Sequence, residues 1–108
     1  MKVTMIYCRD YAVKYLEKWG FEITNIQCES NEGIIEQALA ANADMVIISP
    51  TIGAKNIVAN ALSSAGKDVI YADWGVGHPR HSSFDCYCLC CHGELVVDRI
   101  LYGPNNKR

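Results

Sequence analysis

The sequence predicts an α/β domain built on a three-layer parallel sheet, and three observations carry that reading. Short apolar runs alternate with amphipathic stretches from the N-terminus through Ala72. One run, "DMVIISP", is almost continuously apolar, as a central strand covered on both faces must be. The stretches between runs repeat apolar residues at the spacing of one helical face. At 108 residues the chain holds one core and is too small for two.

The elements follow in order. "KVTMIYC" reads as the first strand, ending at Cys8. Asp10 is placed to cap a helix whose Ala12, Tyr15, Leu16 and Trp19 share a face, with Gly20 as its stop. "FEITNIQC" is a more polar strand, suited to a sheet edge. Ser30 or Asn31 opens a second helix with Ile34, Ile35, Ala38 and Leu39 inward. "DMVIISP" follows, then a helix from about Gly53 to Ala65 presenting Ile57, Val58, Ala61 and Leu62, then the strand "KDVIYAD". Right-handed crossovers make this a small doubly wound, Rossmann-like sheet of flavodoxin-like order, about 2-1-3-4 with a last element at the edge.

The alternation stops after Asp73. The chain therefore divides into an alternating core (1–73), a polar loop (74–84), a cysteine-rich segment (85–102) and a polar tail (103–108). "DCYCLCC", a turn at His92-Gly93, and "ELVVDRILY" read as a β-hairpin. That hairpin lies outside the core pattern, so it is the expected dimerisation element of a homodimer.

Composition narrows the function. A net charge of −2 provides no broad nucleic-acid surface. No apolar run is long enough for a membrane span, and "MKVTMIYC" leads into a charged helix rather than a cleavage site. Six cysteines without an export signal read as reduced thiols in a cytoplasmic protein.

In open parallel sheets ligands bind beyond the carboxyl ends of the strands, where strand order reverses. The loops expected there carry Cys8, Arg9 and Asp10, then "SPTIGAKN" from Ser49 to Asn56, then Asp73, Trp74, His78, Arg80 and His81. "SPTIGAKN" opens a helix, where free N–H groups favour an anion. Ser49 and Thr51 offer hydroxyls, Gly53 close backbone approach, Lys55 a positive charge and Asn56 an amide. His78 and His81 suit acid–base work near neutral pH, and Arg80 suits an anionic group. The same residues also read as an ordinary helix cap and an exposed loop. Cys8, ahead of a helix and beside Arg9, reads either as a nucleophile of lowered pKa or as a half-buried strand-end residue.

Two family resemblances bear on this. The placement of Cys8 resembles that in the phosphocysteine subunits of sugar phosphotransferase systems, which implies phosphoryl transfer at that thiol. "ISPTIGAKNIVANALSSAGKDVIYAD", with Thr51, Gly53 and Lys55, resembles the nucleotide-sensing Rossmann-like domains of CRISPR systems. That resemblance implies a dimeric sensor or cleaver of a small cyclic oligonucleotide.

The segment "CYCLCCH" supplies Cys86, Cys88, Cys90, Cys91 and His92. As a strand it places Cys86, Cys88 and Cys90 on one face and Tyr87, Leu89 and Cys91 on the other, both apolar. A strand spaces the outer cysteines by roughly 13 Å, too far for one metal. Cys88 and Cys90 could chelate zinc or copper together, with His92 or a cysteine from elsewhere as a third ligand. A coiled segment around a metal and a thiol redox site are the other readings. The expected function is recognition of an anionic, phosphorylated or nucleotide-like ligand at the strand ends, with hydrolytic or phosphoryl-transfer chemistry there. The alternative is a metal-binding or interaction module working through residues Cys86 to His92.

Overall fold

The computed structural model describes residues 1–50, 56–75 and 84–103. Its elements are β1 (Lys2–Ile6), α1 (Asp10–Lys18), β2 (Glu22–Ile26), α2 (Asn31–Ala41), β3 (Met45–Ile48), α3 (Asn56–Ser64), β4 (Asp68–Asp73), β5 (Cys86–Cys88) and α4 (Leu89–Tyr102). All strand pairs are parallel, and the order is β2-β1-β3-β4-β5. The expected α/β class and the 2-1-3-4 order are both present, with β5 added at the edge.

Period-two alternation sorts the strand residues into two cores. Val3, Met5, Met45, Ile47, Ile70 and Ala72 face α1 and α4, where they meet Ala12, Leu16, Leu89, Val96, Val97 and Ile100. Ile6, Val46, Ile48, Val69 and Tyr71 face α2 and α3, against Ile34, Ala38, Val58, Ala59 and Leu62. β3 is buried along its whole length because both layers cover it. Trp19, Leu39 and Ile57, expected on inward faces, are exposed at the margins of their stripes.

Helix ends follow local chemistry. Ser30 caps α2, its hydroxyl accepting from the Gly33 N–H at 3.0 Å. Gly20, at φ 94°, turns the chain out of α1 through a conformation that glycine adopts without strain. Asp10 does not cap α1. Arg9 occupies the cap position without a side-chain capping bond, and Asp10 lies inside the first turn, where its charge favours the helix dipole.

The C-terminal segment corrects the hairpin expectation. Cys86–Cys88 forms a short strand parallel to β4, and residues 89–102 form a helix. Val96, Val97 and the apolar neighbours of "ELVVDRILY" suit a strand by composition. The buried uncharged positions of residues 89–102 nevertheless fall at 89, 93, 96, 97 and 100, the spacing of a helical stripe. The α1 side of the sheet needs a second helix to cover β4 and β5, and α4 supplies it. The expected His92-Gly93 hairpin turn is absent; α4 runs through these residues with a kink at His92, at φ −132° and ψ 37°. Arg99 fixes the helix to the sheet. Its guanidinium bonds both oxygens of Asp68, at 2.5 and 2.8 Å, and Asp85 at 3.3 Å.

Candidate metal centre

The carboxyl ends of the strands are joined by a buried polar cluster. Asp73, at the end of β4, is fully buried, and its Oδ1 accepts the N–H of Arg9 at 3.0 Å and of Trp74 at 2.8 Å. Its Oδ2 accepts the Ser49 hydroxyl at 2.6 Å. One carboxylate thus ties the ends of β1, β3 and β4. Asn25 of β2 adds the fourth strand, accepting from the Cys8 N–H at 3.2 Å and donating to the Cys8 carbonyl at 2.9 Å. A buried carboxylate needs such donors, since leaving it unpaired would cost several kcal/mol.

These bonds place several of the expected residues. Cys8 is buried, and its Sγ lies 3.6 to 3.8 Å from the carbonyl oxygens of Ile6, Ile47 and Ala72. Burial, with the Asp73 charge second, pushes its thiol well above the ordinary value, the opposite direction to that expected ahead of a helix. The Ser49 hydroxyl is held inside by Asp73, while Arg9 is exposed and donates from Nη1 to the Trp74 carbonyl at 3.0 Å. Asn56 accepts the Tyr71 hydroxyl at 3.1 Å. Thr51, Gly53, Lys55, His78, Arg80 and His81 lie outside the described residues.

The second cluster stands beside the first, for Cys88 at the end of β5 is in register with Asp73. At Cys88 the chain passes from strand to helix, and that change of geometry converges three thiols. Cys88 Sγ is 3.1 Å from Cys90 Sγ, which is 3.8 Å from Cys91 Sγ, and all three lie within 4.8 Å of one another. A strand would have sent Cys91 to the face opposite Cys90, whereas the first helical turn gathers both. Cys88 and Cys90 are two of the expected ligands. Among the described residues the third member of this group is Cys91, and His92 instead lines the adjoining cavity.

Zinc–thiolate bonds of about 2.3 Å in a tetrahedron separate sulfurs by about 3.8 Å. The Cys90–Cys91 spacing meets that value, and the Cys88–Cys90 pair would open by under about 1 Å to reach it. The donor set therefore fits a thiophilic ion. Its position also fits, because the N-terminal end of α4 favours thiolate charge. Hydrogen bonds to Cys90 and Cys88 hold the Cys91 thiol up to about 11. A cation would take the place of the protons held in this group. Burial, with Cys88 second, also raises the Cys86 thiol.

A cavity of about 440 Å³ opens beside the triad, lined by Cys90, Cys91, His92, Glu94 and Asp98 on α4 and by Tyr15 and Trp74 opposite. Gly93 forms part of its wall. Tyr15 packs so closely there that a Cβ at Gly93 would overlap its ring. Trp74 stacks obliquely against Tyr11 and Tyr15, with ring centroids 6.1 and 5.9 Å apart.

By fold this is a doubly wound parallel α/β domain of flavodoxin-like strand order, carrying a thiol triad at the carboxyl end of its edge strand. Compared with family models, curated proteins and solved structures, the chain matches none.

Proposed function

We propose that this chain is a metal-binding α/β module in which Cys88, Cys90 and Cys91 hold one soft or borderline ion, zinc or monovalent copper. The observation that carries the reading is the convergence of three Sγ atoms within 4.8 Å at the start of α4. Thiolate donors select such ions over magnesium or calcium. Three sulfurs leave a tetrahedral ion one further position, and His92, Glu94 and Asp98 line the same cavity as Cys90 and Cys91. All six cysteines are free, which supports a reducing, cytoplasmic setting. Pairing of two copies belongs to the reading as well, supported by the exposed Leu95 at the cavity and the exposed Tyr11 against Trp74, and testable by light scattering.

Elemental analysis of protein purified under reducing conditions tests the metal reading. Close to one zinc or copper per chain is expected, falling to a small fraction in Cys90→Ser. Equal metal content in both proteins, or none in either, would remove the reading.

An anionic or nucleotide-like ligand at the strand ends is the second reading. Its support is the exposed Arg9 guanidinium beside Trp74, in the loop after β1, where strand order reverses between the paired β1 and β3. The Asp73 carboxylate opposes an anion there, so the positive charge has to come from Arg9, Lys55 and Arg80. Phosphoryl chemistry would rest on His78 and His81, since Cys8 is buried. A thermal-shift screen with nucleotides and sugar phosphates tests this, because ligand at one hundred times its Kd stabilises by about 2.7 kcal/mol.

A further inference from the structure

We propose that Cys88 and Cys90 are a thiol–disulfide exchange pair, oxidised by a low-molecular-weight disulfide and re-reduced by a dithiol. Their sulfurs are 3.1 Å apart, about 1 Å beyond a covalent S–S bond. Their exposures differ in the way the chemistry requires. Cys90 is exposed at the cavity, where a small disulfide can reach it, whereas Cys88 is 2% exposed and anchored at the end of β5.

The exchange takes two steps. The Cys90 thiolate attacks one sulfur of the incoming disulfide, breaking its S–S bond. This forms a mixed disulfide and releases one thiol. The Cys88 thiolate then attacks Cys90 Sγ, expelling the second thiol and leaving a Cys88–Cys90 disulfide. The two cysteines lose two electrons and two protons, and the small disulfide gains both pairs as two thiols. Closing the bond needs only a small movement of the turn carrying Cys90. The backbone departs from helical geometry at His92, so that turn is separate from the rest of α4. Cys91 Sγ, at 3.8 Å from Cys90, is the more distant competitor.

The proposal does not rest on the metal reading, because exchange uses metal-free thiols. Its consequence does, since the disulfide would remove two of the three donors.

The test treats reduced, metal-free protein with oxidised glutathione in the presence of a chelator, then alkylates and measures intact and fragment masses. Wild type is expected to lose two of its six free thiols, retain no glutathione and carry the bond between Cys88 and Cys90. Cys88→Ser is expected to retain one glutathione at Cys90, and Cys91→Ser to close as wild type does. Glutathione retained on wild type, a bond from Cys90 to Cys91 or between chains, or no loss of thiols would overturn the proposal. Metal content measured beforehand keeps the two ideas separable: a disulfide without metal binding rejects only the metal reading, and metal binding without this disulfide rejects only the exchange.

Discussion

The Ser49 hydroxyl donates to the Asp73 carboxylate at 2.6 Å, joining the ends of β3 and β4 inside the protein. Ser49→Ala would leave one buried carboxylate oxygen without this donor. The expected loss of stability is about 1–3 kcal/mol by urea denaturation. Asp73→Ala would also strand the N–H groups of Arg9 and Trp74 and should cost more than Ser49→Ala. Equal stability of wild type and Ser49→Ala would show that this bond contributes nothing to holding the strand ends.

Cys8 predicts an alkaline weakness. Its folded thiol is raised above the usual 9.0, so the folded state keeps a proton that the unfolded chain releases. That contribution is whole below 9.0 and is lost as pH rises beyond it. Cys86, Tyr71 and Tyr87 are raised too and act in the same direction. The informative quantity is therefore the difference between wild type and Cys8→Ala. Stability from about pH 8 to 10 should fall more steeply in wild type, by at most about 1.4 kcal/mol per pH unit. Parallel curves would contradict the burial of this thiol.

Gly93 and Tyr15 should behave as a coupled pair. The ring occupies the space of a Gly93 side chain, so Gly93→Ala forces α4 outward at an expected cost of about 1–3 kcal/mol. Tyr15→Ala clears that space. In a double-mutant cycle the added methyl should cost at least about 1 kcal/mol less in the Tyr15→Ala background. Strict additivity would show that the two residues do not touch.

The alternating core was legible because its signals are local. "DMVIISP" is a continuous apolar run, the stretch from Ala12 to Leu16 carries a helical stripe, and Ser30 caps the helix it precedes. Residues 89–102 misled for a physical reason. Val96 and Val97 have strong β preference, but burial against a sheet face still lacking cover selects the helix. Reading the segment as a strand then separated Cys91 from Cys90, so the triad was seen only in part. The Ser49–Asp73 and Asn25–Cys8 bonds span 24 and 17 positions and leave no local pattern to read. The signal for Cys91 was present all the same, because Leu89, two positions before it, belongs to the 89-93-96-97-100 stripe that marks a helix start.

X-ray absorption at the zinc edge of zinc-loaded, reduced protein addresses the central claim most directly. Ligation by Cys88, Cys90 and Cys91 predicts three sulfur neighbours at about 2.3 Å, with the remaining ligand a nitrogen or oxygen. Cys91→Ser should lower the sulfur count to two. A first shell of nitrogen and oxygen alone, or a sulfur count unchanged in Cys91→Ser, would contradict the assignment of the triad as a metal centre.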